Sequence, residues 1–370
     1  MTLTVVGGPY TQIPDAAFEQ SLINLGYDPC GIVDGQVPTN SINTVLNLFI
    51  QNNIISDLTG IEDFQALQSL TIWSANLGVN GVNLASNNNL KSLTISSAGL
   101  TSLNLSQNTL LETLNITGGI SNNISTLDLT SNTNLQIIDC PGTGINSLQL
   151  PAAASLTQLN CQANNLSFLD LSIVPNLTSL NASDNSLINL GANTHNSLIT
   201  MNIKNNSFTG LNLSGFNQLK SLDCSDNSLE CLNIKNGNNN QFSYLNTLNN
   251  FTLTCIEVDD SLFSTNNPIW NANKDTWSTY SEDCIGICVT ADLSDLFIEN
   301  PKVYPNPTNS IVTIQSESEI KDITLLDLTG KTLGKYHTNC VDLSELMVGT
   351  YIIRIRYSNE IEVVKQIIKN

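Results

Sequence analysis

Leu156-Thr-Gln-Leu159-Asn-Cys161-Gln-Ala-Asn164 and Leu177-Thr-Ser-Leu180-Asn-Ala182-Ser-Asp-Asn185 are one phrase written twice, 21 residues apart. Leu198-Met201-Ile203-Asn206 and Leu219-Leu222-Cys224-Asn227 continue it at the same interval, and looser copies reach back to Leu67. Self-similarity at a fixed short period is the signature of a solenoid. No single unit of such an array can bury its own apolar face, so each coil needs its neighbours. The period therefore sets the architecture and favours a binding surface over a catalytic pocket.

Within a unit the apolar positions are 1, 4, 6, 11, 14 and 16, with Asn at 9. In one copy these are Leu156, Leu159, Cys161, Leu166, Leu169 and Leu171 with Asn164. Alternation around Leu159 and Cys161 has the period of a strand, so positions 3 to 6 predict one short parallel strand per coil. The second half, Leu166-Ser-Phe-Leu169-Asp-Leu171, repeats the spacing and supplies the opposite wall. Val45-Leu48-Ile50-Asn53-Ile55-Leu58-Ile61-Phe64 is an earlier coil with a helical turn after Leu58, and Phe242-Leu245-Thr247-Asn250 holds the last strand. About ten coils result, a ladder roughly 45–50 Å long at one strand spacing each.

The recurring asparagine answers a specific need. Where the chain bends after each strand, its amides and carbonyls lose their ladder partners. A side-chain amide has both donors and an acceptor and can satisfy them, coil upon coil. Asn53, Asn122, Asn164, Asn185, Asn206, Asn227 and Asn250 fit that structural ladder, while Ala75, Ala98 and Thr143 interrupt it. Sequons such as Asn165-Leu-Ser and Asn176-Leu-Thr follow from the repeat grammar and are read as structural.

Nine cysteines look like a disulfide framework until they are placed on the repeat. Cys140, Cys161 and Cys224 occupy the third apolar slot, where other copies carry isoleucine. A reduced cysteine behaves as a small hydrophobe, so these three are expected to be buried thiols. Cys255 and Cys284 flank the end of the repeats, where a bridge would lock a cap; Cys231 or Cys288 could replace either partner. Cys30 and Cys340 have no evident mate.

This grammar resembles the leucine-rich repeat family over about residues 45–255, with short units like those of bacterial surface proteins and an internalin-like first coil. The resemblance implies a right-handed solenoid with little helix, whose parallel strands line a concave binding face. That face would present position-5 side chains Phe49, Thr71, Thr94, Asn115, Asp139, Asn160, Asn181, Asn202 and Asp223, flanked by Trp73, Ser96, Gln162, Ser183, Lys204 and Ser225. Hot spots favour Trp, Tyr and Arg, which leaves Phe49 and Trp73 as the anchors in an otherwise amide- and hydroxyl-rich strip.

Both ends of such an array need covering. Residues 10–44 supply an amino-terminal cap: Asp15 caps a short helix whose face is Phe18, Leu22 and Leu25, and Gly26 stops it. The stretch resembles the amino-terminal cap of secreted bacterial repeat proteins. Repeats occupy 45–254, and 255–288 form a second cap with Trp270 and Trp277 as aromatic bulk. Asp259, Asp260, Asp275 and Asp283 lack the alternating-oxygen loop of a calcium site and read as solvated cap surface.

After a linker at 289–300 the grammar changes. Short β-rich runs separated by turn residues fill 301–370, as in a small antiparallel sandwich. Tyr304-Pro305-Asn306-Pro307, Gly330-Lys331, Gly349-Thr-Tyr351 and the lysines Lys365 and Lys369 together resemble the carboxyl-terminal sorting domain of the type IX secretion system, type A. That resemblance implies an immunoglobulin-like fold read by the type IX secretion machinery at the outer membrane. The protein would then be released from, or held on the outer-membrane surface of, a Gram-negative bacterium, often after the domain is cleaved. It also implies a signal peptide. Residues 1–9 have no basic n-region and too short an apolar stretch for one, so either the protein is cytosolic or the signal has been removed or misassigned upstream of Tyr10, and the sorting-domain resemblance favours the second.

Charge and chemistry narrow the function further. The net charge is −19, only 12% of residues are charged, and the sequence pI is near 4.2. Such a chain is not expected to bind nucleic acid or anionic membranes, and no apolar run reaches the roughly 20 residues of a membrane span. Thr329-Gly330-Lys331-Thr332 is not a phosphate loop, because Leu325 stands where the first glycine is required. His195 and His337 are the only histidines and belong to different modules, so no zinc motif or histidine-centred triad assembles. Cys284 and Cys288 have the wrong spacing for a redox pair. The reading is a non-enzymatic exported protein, without cofactor or metal, that binds a protein or glycan. The rival is an adhesive or structural spacer without a single ligand.

Overall fold

A computed structural model describes residues 9–51, 54–73, 77, 81–96, 99–117, 122–153, 155–192, 194–284, 301–306, 308–316, 320–327, 331–357 and 362–369. Asn53, Ala75, Ala98, Cys288, Pro307, Gly330 and the expected linker 289–300 lie outside these residues. The chain divides into two compact units, 1–290 and 291–370.

The first unit is a leucine-rich repeat solenoid. One parallel sheet of ten strands runs from Asn47–Gln51 to Tyr244–Asn246 in chain order, one strand per coil. Register never slips: Leu159 stands beside Ile138 on one side and Leu180 on the other, and Met201 beside Leu222 continues the column. All six apolar positions of the quoted unit are at most 2% exposed. Burying each such side chain is worth about 2 kcal/mol relative to leaving it in water, and only stacking provides that burial. Cys140, Cys161 and Cys224 are fully buried members of the same core.

The bends are held by side-chain amides. Asn164 donates to the carbonyls of Cys140 and Cys161 (both 2.9 Å) and accepts from the amides of Thr143 and Ile145. Asn185 donates to that same Cys161 carbonyl and to Ala182; Asn206 donates to Ala182 and Ile203. Asn227 and Asn250 then share the Cys224 carbonyl. Each carbonyl between two rungs thus takes one amide from its own coil and one from the next. Asn122 donates to the Thr117 carbonyl of its own coil and accepts from the Leu100 amide one coil earlier. Thr143, expected to break the ladder, completes it: its hydroxyl bonds the Cys140 carbonyl and the Asn164 side chain.

Two columns carry no hydrophobic signature. The residue before each late ladder asparagine is left-handed: Ala163, Asp184, Asn205, Asp226 and Asn249 have φ from 52° to 62°. A second asparagine column, Asn87, Asn108 and Asn132, is fully buried and donates to carbonyls of the preceding coil. Along the chain that register continues through Val174 to His195, 21 residues apart. His195 is buried, its Nε2 lies 3.0 Å from the Val174 carbonyl, and its ring stacks on Phe216 at 6.1 Å.

The second halves of the coils form a discontinuous wall. Thr126–Asp128 pairs with Ser147–Gln149, and a four-stranded parallel sheet runs from Gly210–Asn212 to Thr279–Ser281. No strand lies in this wall between Leu150 and Thr209 among the described residues.

At the amino end a helix, Ala16–Asn24, is capped by Asp15, whose other carboxylate oxygen accepts from the amides of Ser56 and Asp57. The cap is thereby tied to the first coil. Phe18 and Leu22 are fully buried, but Leu25 is 44% exposed because it lies past the last helical turn, beside Gly26 at φ +80°. Glu19, buried beside them, accepts from the amides of Asp34, Gly35 and Gln36. At the other end Cys255 and Cys284 are joined, and Cys231 is itself disulfide-bonded. Trp270 is fully buried against Phe242, Phe263 and Tyr280. Trp277 is instead exposed and stacks on Phe251. Two cap carboxylates are not solvated surface. Asp259 accepts from Gly237 and Asn239, and the buried Asp275 from Asn249 and Asn250, replacing the coil that would follow.

The second unit holds two antiparallel sheets. Lys302–Tyr304, Ile311–Gln315 and Cys340–Asp342 form one; Thr332–Tyr336, Ile320–Leu326, Gly349–Tyr357 and Glu362–Lys369 form the other. Val312, Ile323, Val341, Ile353, Tyr357 and Ile367 are among the core side chains between them, giving a small sandwich.

Burial holds the His195 imidazole below its ordinary value of 6.5, against the opposing pull of the Val174 carbonyl. The folded chain therefore resists a proton that the unfolded chain accepts, and the contribution present above pH 6.5 is lost as pH falls. Urea titrations at pH 7.5 and 5.5 should show the wild type losing stability relative to His195→Asn on acidification. A difference independent of pH would exclude this role.

Candidate functional site

The outward face of the ten-stranded sheet is built by strand alternation. Leu70 and Ile72 point into the core, so Thr71 and Trp73 must point out. Pairing places Phe49 beside Thr71, then Thr94, Asn115, Asp139, Asn160, Asn181, Asn202 and Asp223 in one unbroken row. Asn246 extends the row by one strand. The flanking row includes Trp73, whose ring meets Phe49 edge-on at 5.7 Å between centroids. Phe49 and Trp73 are 47% and 45% exposed.

Beyond the amino end, the strip's polar groups satisfy one another. Asn160 donates to Asp139 at 2.7 Å, and Asn246 to Asp223 at 3.1 Å. Asn181 donates to Gln162, and Gln162 to Asp184. Asn205 bonds the other oxygen of Asp184, while Asn249 and Lys204 both meet Asp226. The Asn205 amide, opposed by partial burial and helped by Gln162, holds the Asp184 carboxyl below the usual carboxylate range. Tyr244 adds an aromatic at the carboxyl end, its hydroxyl 3.4 Å from Asp223 and pushed up by burial and that carboxylate. Its position follows from the frame of Phe242, Leu245 and Asn250, two residues past the last apolar anchor.

The face carries no reactive thiol: Cys161 is pushed up to about 12 by burial, and Cys140 and Cys224 are raised as well. Among the described residues no cluster of three or more His, Cys, Asp or Glu side chains is arranged to hold a metal ion. No helix among them is long and apolar enough to cross a membrane.

In the second unit, several residues of the sequence signature meet at the last strand. Asn306 Oδ1 accepts the Ile368 amide at 2.9 Å, and the Thr308 amide donates to the Ile368 carbonyl at 2.9 Å. The Lys369 ammonium is buried and donates to the carbonyls of Leu343 (2.7 Å), Ser344 (3.1 Å) and Asn309 (3.2 Å). Gly349 pairs with Lys369, and the Tyr351 hydroxyl bonds the Met347 carbonyl. Lys365 pairs with Ile353 farther along the same strand, and Lys331 bonds Asp327 through its backbone. Tyr304 ends its strand 48% exposed, joined to Pro305 by a cis peptide. Residues 302–370 match the model of the secretion system C-terminal sorting domain. The tail is a type IX sorting domain.

Such a sorting domain implies export through the type IX secretion system to the cell exterior or surface. No curated protein matches this chain. Among solved structures, a Leptospira interrogans LRR protein is similar at 19% identity and TM-score 0.46, over 57% of this chain. The chain spans 56% of that protein's length. The functional domain of InlJ from Listeria monocytogenes aligns over 99% of this chain and 100% of its own, with 18% identity and TM-score 0.43. An internalin, inlF, from the same organism aligns over 77% of this chain and 100% of its own, with 14% identity and TM-score 0.33.

Removing the Lys369 ammonium takes away its bonds to three carbonyls, the one to Leu343 being buried. Lys369→Ala should cost about 2–3 kcal/mol in the sorting domain and speed amide exchange at Ile353 and Ile367 in the full chain, without altering exchange at Leu159. Unchanged exchange at Ile367 would show that the clamp is dispensable.

Proposed function

We propose that this is a non-catalytic binding protein, exported to the outer-membrane surface or surroundings of a Gram-negative bacterium, that captures a protein or glycan on its strand face. The observation that carries the reading is the Phe49–Trp73 pair. Two rings, each nearly half exposed, meet edge-on at the amino end of a strip that, Tyr244 apart, is polar. Exposed aromatics of this kind combine large contact area with few rotamers to freeze, which is why they anchor interfaces. The neighbouring Thr71, Thr94 and Asn115 would supply the adaptable hydrogen bonds around that anchor.

The remaining segments have supporting roles. Residues 10–44 and 255–288 close the ends of the repeats, 45–254 present the surface, and 301–370 address the protein to the type IX machinery. One observation favours the spacer reading for the later coils. From Asp139 onward, Asn202 apart, the strip's amides and carboxylates bond each other, and a group already paired gains little from a ligand. Recognition therefore concentrates on the first coils.

The test is capture of partners from the surface of neighbouring cells by immobilised full-length protein. Phe49→Ala and Trp73→Ala together should lower capture by about tenfold or more with far-ultraviolet dichroism unchanged. Undiminished capture would place the site elsewhere.

A further inference from the structure

The break in the second wall opens a groove of about 540 Å³ beside the strand Ser147–Gln149. Leu148 belongs to a column in which Leu127, Leu169, Leu190, Leu211 and Leu232 are at most 5% exposed. Leu148 itself is only partly buried, and the following coil does not pair with its strand. Leu150 and Ile173 extend that apolar floor, and Phe168, 43% exposed, forms a wall.

Four of the groove's polar side chains differ from those of the later strand face in one respect: they are uncommitted. Ser147, Gln149, Ser167 and Asn146 line it, and none of their side chains takes a partner among the described residues. Asp170 is oriented rather than consumed. Ser172 holds its Oδ1 through the backbone amide (2.9 Å) and the hydroxyl (2.6 Å), which leaves Oδ2 for a ligand. A Cβ on Gly191 would fall 2.6 Å from that same Oδ1, so the glycine, at φ +66°, is what lets the next coil pass the carboxylate.

We infer that this groove is a second binding site, separate from the strand face, for a neutral saccharide of one or two rings. A sugar has the matching chemistry. Its hydroxyls donate and accept at once, as amides, hydroxyls and a carboxylate require, while its C–H face packs against an aromatic ring and apolar floor. The volume falls within the range of small-ligand sites. Anionic ligands are disfavoured by charge: no lysine or arginine lines the groove, and residues 1–290 contain five lysines and no arginine.

Calorimetric titration of the full chain with maltohexaose, cellohexaose, laminarihexaose and chitohexaose, and with sialyllactose as the anionic control, tests the assignment. At least one neutral oligosaccharide should bind, and Phe168→Ala and Asp170→Asn should each weaken it by about tenfold or more. Both side chains are surface-accessible, so dichroism should not change. The Phe49→Ala, Trp73→Ala variant should bind the oligosaccharide like the wild type, which separates this site from the strand-face reading. No binding by any neutral oligosaccharide, equal binding of sialyllactose, or binding that survives both groove substitutions would overturn it.

Discussion

A chain that bends every ten residues or so must repeatedly bury backbone that no strand can pair, and an unpaired buried amide or carbonyl costs as much as a lost hydrogen bond. The shared carbonyls of Cys161, Ala182, Ile203 and Cys224 are how this molecule meets that demand. Each accepts two asparagine amides, one from its own coil and one from the next. Hydrophobic stacking draws the coils together, but it is non-directional. The asparagines fix the distance and register at which they stop, and the outward rows of side chains inherit that register.

Function follows from what the ladder leaves free. Inward positions are spent on leucine and isoleucine, and the bends are spent on asparagine. On the outward strand face, the later coils also spend their polar groups on each other. What remains uncommitted is an aromatic pair at the amino end and a groove where one wall fails to close. The sorting domain obeys the same logic on a smaller scale. Asn306 and Thr308 bond the backbone of Ile368, and the Lys369 ammonium bonds the Leu343 carbonyl, so part of its sequence signature maintains the fold that the secretion machinery meets.

Much of this was legible in the amino acids because it has a period. Leucine spacing determined the strands, the ten coils and the burial of Cys140, Cys161 and Cys224, and the outward row from Phe49 to Asp223 followed by alternation. Features set by backbone angle were not legible. Ala163, Asp184, Asn205, Asp226 and Asn249 look like a variable column, yet all are left-handed. Nor does a helix face reveal where the helix stops, which is why spacing alone places Leu25 in a core it never enters. Trp277 and Asp275 were exchanged for the same reason: in a cap, no repeat says which side is in. The groove depends on a strand that does not form at Phe168–Asp170, and spacing there is as regular as anywhere else.

Adjacent residues Asn164 and Asn165 offer the most direct test of the central claim. Asn164 is buried and braces two coils, whereas the exposed Asn165 makes one long contact of 3.4 Å to the Gly144 carbonyl. Equilibrium urea unfolding of the two alanine variants should show a loss of about 3 kcal/mol for Asn164→Ala and less than about 0.5 kcal/mol for Asn165→Ala. Equal losses at the two positions would mean that leucine packing alone sets the coils, and that the amide ladder does not.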